Sequence, residues 1–241
     1  MLVHLYFQRI KTESMTPTKI DSSPCQVKIC GVRETSQAQA LDNLKVDWIG
    51  FNFFPKSARY IAPEAAAPMI RDLRHAKSVG VFVEAELNLV LDIINKTGVQ
   101  YVQLHGHESW DYISKMPVPV IKAIPHTQLS DLGGLRTFLE KQLSTKLTSS
   151  PLAYFLIDTQ IKADSASAFG GSGEVFDWNL LKENNIPLPY FLAGGLGPKN
   201  LAKALEACSP FAVDLNSRVE VSPGYKDLDA VKECLRLVRR V

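Results

Sequence analysis

Lys28 and Cys30 stand two residues apart in the run Gln26-Val27-Lys28-Ile29-Cys30, with Gly31 directly after. On an extended segment that spacing sends both side chains to one face, an ammonium beside a thiol. A thiol has a reference pKa of about 8.5, so it needs nearby positive charge to act as a base at neutral pH. Asp158 ends the apolar run Ala153-Tyr154-Phe155-Leu156-Ile157. A thiol and a carboxylate placed at the ends of two such runs are candidate groups for proton transfer. His105 follows Val102-Gln103-Leu104 in the same way, and either lines a pocket or satisfies a hydrogen bond at its mouth. Gly194-Gly195 follows Tyr190-Phe191-Leu192-Ala193, and Asn216-Ser217 follows Phe211–Leu215. Glycine lets backbone approach an anion closely, and successive backbone N–H groups bind phosphate oxygens. Phe169-Gly170-Gly171-Ser172-Gly173 has three glycines in five residues. It suits a mobile loop that closes over a substrate, with a flexible surface excursion as the plainer reading. No group of His or acidic residues has metal-ligand spacing, so no metal is implied.

These residues need elements to hold them. Eight short apolar runs read as strands: Gln26–Cys30, Asp47–Phe53, Ser78–Val83, Val99–Leu104, Pro119–Ile124, Ala153–Asp158, Pro189–Ala193 and Phe211–Leu215. Several are apolar almost throughout, as expected for parallel strands covered on both faces. Longer amphipathic stretches follow them: Glu34–Leu44, Pro63–Arg74, Glu86–Thr97, Glu108–Lys115, Gln128–Lys146, Asp177–Asn184, Pro198–Cys208 and Leu228–Val241. Strict alternation of strand and helix predicts a parallel sheet with helices outside. Eight such units over residues 25–241 predict an α/β fold, a single (β/α)8 TIM barrel. A doubly wound open sheet is the alternative, but Cys30-Gly31-Val32 after the first strand is not its glycine fingerprint. In a barrel of this kind the site is built at the C-terminal ends of the strands. Asn52, Glu84 and Lys122 also fall at such ends, and the loops after strands seven and eight are the usual place for a phosphate. Residues 1–24 show no periodicity and read as a short flexible N-terminal extension. An organelle-targeting segment is the weaker reading, since such peptides are richer in Arg and avoid acids. Met15 is an alternative start.

Composition excludes several classes. Hydrophobic residues are 46% and charged residues 22%, which excludes a disordered chain. There are 27 Lys+Arg against 25 Asp+Glu, a net charge of +2. A nucleic-acid binder usually carries a concentrated basic stripe, so no nucleic acid is expected. No apolar run reaches the roughly 18–20 residues that span a membrane, and no membrane partner is expected. The four cysteines form no CxxC pair and are too few for a disulfide framework. Reduced thiols in a cytoplasmic protein are the expectation.

The motifs resemble a known family. Val27-Lys28-Ile29-Cys30-Gly31, Pro55-Lys56-Ser57-Ala58-Arg59-Tyr60, Gly80-Val81-Phe82-Val83 and Val102-Gln103-Leu104-His105-Gly106 look like phosphoribosylanthranilate isomerase. So do Phe176-Asp177-Trp178, Ala193-Gly194-Gly195-Leu196 and Pro223-Gly224-Tyr225-Lys226-Asp227, in the family's order. The resemblance implies an aldose–ketose isomerase performing an Amadori rearrangement of a phosphoribosyl anthranilate in tryptophan biosynthesis, without a cofactor. It implies Cys30 as general base, Asp158 as general acid, and Arg59 as partner of the anthranilate carboxylate. Lys28, His105, Gly171, Gly194, Gly195, Asn216 and Ser217 complete the expected substrate-binding set. The expected partner is the small phosphosugar alone, with the chain a monomer or weak homodimer. One departure concerns Asn216-Ser217-Arg218-Val219-Glu220, where the family usually has glycine at the position of Arg218. Arg would be strained there if the backbone needs a positive φ. Other phosphosugar barrel enzymes are the competing readings, namely indole-glycerol-phosphate synthase and the histidine-pathway isomerase. For the first, the catalytic Lys and Glu set cannot be placed; for the second, strand one would end in an acid. A non-catalytic phosphosugar-binding barrel is the remaining alternative.

Overall fold

Side chains on a strand alternate between faces, so a strand inside a barrel has one face toward the axis and one toward the helices. The computed structural model describes residues 24–126, 151–158 and 188–239, together with Trp178, Leu181 and Ile186. Within them, eight parallel strands close in sequence order: β1 Gln26–Cys30, β2 Trp48–Asn52, β3 Lys77–Phe82, β4 Tyr101–Leu104, β5 Val120–Pro125, β6 Leu152–Asp158, β7 Tyr190–Ala193 and β8 Ala212–Leu215. β8 pairs back onto β1, with Lys28 opposite Asp214, which closes the ring. The expected (β/α)8 barrel is the observed fold.

The alternation divides the core in two. Trp48, Val79, Ile121, Ala123, Leu156, Phe191, Ala193 and Ala212 fill the axis. Val27, Ile29, Ile49, Phe51, Phe155, Ile157, Val213 and Leu215 pack outward against the helices. At the N-terminal end of the barrel, Trp48 meets Tyr101, Tyr154, Phe191 and Phe211 edge-on, with ring centroids 4.7–6.3 Å apart. Packed rings therefore close that end, and polar groups gather at the other.

The described helices are α1 Thr35–Asn43, α2 Pro63–Asp72, α3 Leu87–Thr97, α4 Trp110–Ser114, α5 Leu201–Ala207 and α6 Leu228–Val238. Pro63 sits at the start of α2, where its missing N–H costs nothing. α1 and α3 match expectation to within one residue at each end, and α6 ends at Val238 with Arg239 as its cap, short of the expected Val241. Three other helices differ because nearby side chains take over the backbone. α2 ends at Asp72, before Arg74, because the N–H groups of Arg74, His75 and Ala76 all donate to the Asp42 carboxylate. α4 starts at Trp110, since Glu108 instead accepts from the N–H groups of Glu84 and Gly106 and Ser109 caps the helix. α5 starts at Leu201, three residues after Pro198. There Asn200 accepts from Gly197 N and donates to Gly195 O, holding a loop in place of a first turn. A hairpin absent from the sequence reading follows β8, made of β9 Glu220–Ser222 and β10 Tyr225–Lys226. The N-terminal extension up to residue 23, the expected helix Gln128–Lys146 and the loop Phe169–Gly173 lie outside the described residues. So does the expected helix Asp177–Asn184, apart from Trp178 and Leu181, both buried.

Candidate active site

Lys28 and Cys30 occupy inward positions of β1, as their spacing requires. Lys28 is fully buried and its Nζ donates to Asp214 Oδ1 at 2.9 Å on the adjacent strand. Gly50 on β2 makes room for both functional atoms. A Cβ there would lie 3.0 Å from Cys30 Sγ and 3.4 Å from Lys28 Nζ. Burial works against the charge on Lys28, but Asp214 and the Cys30 thiol outweigh it and its pKa is raised. For Cys30 the balance goes the other way. Burial pushes the thiol up and Asp214 adds to this, against the opposing pull of Lys28 and Lys226. The expectation that Lys28 draws Cys30 toward thiolate has the direction of that one interaction right, yet burial prevails and the thiol titrates above its ordinary range.

Asp158 is the last residue of β6 and faces the axis, in step with Leu156. Its Oδ2 lies 3.7 Å from His105 Nε2, and both side chains are about one-fifth exposed. On the other side of the ring, the amide of Gln103 donates to His105 Nδ1 at 2.9 Å. That contact leaves the ring proton on Nε2, on the side of Asp158. Burial lowers the His105 pKa although Asp158 and Asp214 act in the opposite direction, so the ring is neutral at pH 7. Lys122 does not line the axis, although its charge also acts to lower the His105 pKa. Ile121 and Ala123 take the inward positions of β5, so Lys122 points to the helix side, donating to Gly106 O and Glu108 Oε2. Glu84 sits beyond β3 in the left-handed region, φ +50°, and its carboxylate accepts from His107 Nδ1 at 2.8 Å. These contacts hold the loop that carries His105.

Arg59 lies on the loop after β2. Asn52 accepts from Phe54 N and donates to Ser57 Oγ, and Ser57 Oγ accepts from Arg59 N, so the loop is knitted from within. The guanidinium reaches over Gly31, which has φ +76° and whose missing Cβ would lie 2.6 Å from Arg59 Cδ. It ends on Glu220 of β9, with Nε to Oε1 at 2.9 Å and Nη2 to Oε2 at 2.6 Å.

Gly194 and Gly195 both adopt positive φ, +102° and +64°, so this turn requires glycine. It faces the segment after β8, where Asn216 Oδ1 accepts from Lys226 Nζ at 3.0 Å and Ser217 opens a short 3-10 turn, Ser217–Val219. Arg218 is exposed and its φ is not positive, so the departure from the family's glycine carries no backbone strain. Gly197 accommodates it, since a Cβ there would meet Arg218 Cβ at 2.6 Å. Gly171 lies outside the described residues. A cavity of about 550 Å³ between the end of α2 and the start of β3 contains none of these groups.

Four residues at this mouth escaped sequence reasoning: Gln103, Asp214, Glu220 and Lys226. Asp214 had a visible signal, an acid inside the otherwise apolar run Ala212-Val213-Asp214-Leu215. Glu220 and Lys226 stood in noted motifs without a role.

Residues 27–236 match the family model described as N-(5'phosphoribosyl)anthranilate (PRA) isomerase. The N-(5'-phosphoribosyl)anthranilate isomerase of Thermotoga neapolitana is 37% identical over 215 residues, 88% of this chain and 97% of that protein. A crystal structure of phosphoribosyl anthranilate isomerase from Thermotoga maritima superposes with a TM-score of 0.75 at 33% identity, covering 90% of this chain and all of that one. A third is of phosphoribosyl anthranilate isomerase in complex with reduced 1-(o-carboxyphenylamino)-1-deoxyribulose 5-phosphate. It has a TM-score of 0.71 at 31% identity, with the same coverage.

Proposed function

Because the chain belongs to the N-(5'-phosphoribosyl)anthranilate isomerase family, we propose that its barrel mouth runs that family's rearrangement with Asp158 as general acid and Cys30 as general base. The enzyme converts N-(5-phosphoribosyl)anthranilate to 1-(2-carboxyphenylamino)-1-deoxyribulose 5-phosphate in tryptophan biosynthesis. Asp158 gives its proton to the furanose ring oxygen while the anilino nitrogen lone pair expels that oxygen from C1'. The ring opens to an iminium. Cys30, as thiolate, removes the proton on C2', and the electron pair left there neutralises the iminium to give an enolamine. Protonation at C1' and loss of the C2' hydroxyl proton give the ketone. Each catalyst begins the next cycle after exchanging its proton with solvent or substrate.

The supporting observation is that a thiol and a carboxylate stand at inward positions at the ends of two strands, each beside a nitrogen-bearing side chain. Lys28 stands against Cys30, and the Nε2–H side of His105 faces Asp158. In this reading the carboxylate of the substrate meets Arg59, its phosphate sits between Gly194-Gly195 and Asn216-Ser217, and Gly171 is a further substrate-binding residue. The phosphosugar is the sole partner, and the chain works in the cytoplasm as a monomer or weak homodimer. The test is turnover of freshly made phosphoribosylanthranilate by the purified protein with EDTA present, followed by fluorescence and coupled to the next enzyme. Turnover in the ordinary enzymic range, about 1–10³ s⁻¹, is expected. A rate no faster than the uncatalysed rearrangement would overturn the reading.

A further inference from the structure

The hairpin β9–β10 has no role in the chemistry above, yet it carries two buried charges at the edge of the site. Lys226 is fully buried and Glu220 nearly so. Lys226 Nζ donates to Glu220 Oε1 at 2.5 Å and to Asn216 Oδ1 at 3.0 Å. Glu220 also accepts from Gly224 N at 3.1 Å and from the Nε/Nη2 edge of Arg59. Burying charges is costly, and an arrangement of this kind persists when each charge is paired.

From this we infer that Lys226 and Glu220 are positioning residues that aim Arg59 at the substrate carboxylate and keep one unit of positive charge available to it. The inference rests on the reading that Arg59 binds that carboxylate. The geometry divides the guanidinium in two. Glu220 occupies the edge formed by Nε and Nη2, which fixes the plane of the group. The second edge, formed by Nη1 and the remaining Nη2 proton, can still grip a carboxylate through two parallel bonds. Charge is the other half of the argument. Arg59 and Glu220 alone sum to zero, and a neutral pair attracts an incoming carboxylate weakly. Lys226 brings the set to +1 without competing for the ligand, because its own donors face Glu220 and Asn216. The adjacent pair of Lys28 and Asp214 is neutral, and Cys30, which is close enough to act on both Arg59 and Lys226, adds no charge while burial keeps it a thiol as the ligand arrives. At the rim, Arg33 donates to Ala58 O and Tyr225 to Glu34, two residues of opposite charge that flank the hairpin.

The test measures the carboxylate factor. This is the ratio of dissociation constants for two ligands, the reduced anilino-deoxyribulose phosphate without the carboxylate and the same compound with it. Because both ligands carry the phosphate, the ratio cancels any disturbance that reaches Asn216. Arg59→Ala is expected to remove the factor almost completely. Lys226→Met should reduce it at least about fivefold. Glu220→Gln/Lys226→Met should restore it to within about threefold of the wild type, since Arg59 is then an uncompensated cation. A purely structural hairpin would instead be damaged further by the second substitution. If Lys226→Met does not fold, Lys226→Gln supplies the same comparison, with a donor for Glu220 and no charge. An unchanged factor in Arg59→Ala would refute the placement of the carboxylate. A factor lost in Arg59→Ala but kept in Lys226→Met, or a double variant no better than the single, would overturn the charge-balance inference and leave the role of Arg59 standing.

Discussion

Cys30 shows how far a single side chain's surroundings decide its chemistry. A base must lose its proton before it can act, and burial together with Asp214 holds the proton on this thiol. Lys28 is the strongest influence in the other direction. The sign follows directly. Since the folded pKa is raised, the thiolate population and kcat/KM increase as pH rises through and beyond the ordinary thiol range. Lys28→Met removes the main stabiliser of the thiolate and leaves Asp214 without its partner, and both changes raise the thiol further. The rising limb of the pH profile of kcat/KM, which reports the base, should therefore move to higher pH, with a loss of at least about tenfold at pH 7, inside the usual reach of acid–base catalysis. A limb that stays in place would show that Lys28 does not act on Cys30. The variant must also be assayed for folding, because breaking a buried ion pair costs about 3–5 kcal/mol.

At the scale of elements, the turn between β7 and α5 carries the clearest demand. Gly194 has φ +102°, outside the comfortable range of any residue with a Cβ. Gly194→Ala should cost about 1–2 kcal/mol in backbone strain. For a domain of this size that lowers Tm by about 2–8 °C. If the phosphate sits there, KM should rise more than kcat falls, because the phosphate keeps its charge throughout the reaction. A destabilised variant with unchanged KM would move the phosphate elsewhere. The strands were legible to within two residues, because apolar runs covered on both faces leave one plausible reading. Helix starts were less legible where a loop side chain competed for the backbone, as Glu108 and Asn200 do. Alternation foretold that Lys28 and Cys30 share a face. A list of strand ends does not distinguish faces, and so it included Lys122. The ties from Arg59 to Glu220 and from Lys28 to Asp214 cross 161 and 186 residues, and no local pattern in the chain encodes such pairings.

The molecule as a whole separates stability from chemistry. One end of the barrel is closed by Trp48 and the rings around it, and the other presents the ends of β1, β6, β7 and β8. Closure of the ring is what brings the thiol of the first strand and the carboxylate of the sixth to a common mouth. The most direct test of that arrangement is single-turnover kinetics with enzyme in excess, comparing the wild type with Cys30→Ala and Asp158→Asn. Each substitution should slow the chemical step at least about 10²-fold. Both variants should bind the reduced product analogue within about threefold of the wild type, since neither change touches the phosphate turns or Arg59. A near-normal chemical step in either variant would remove that residue from proton transfer and contradict the assignment of base and acid.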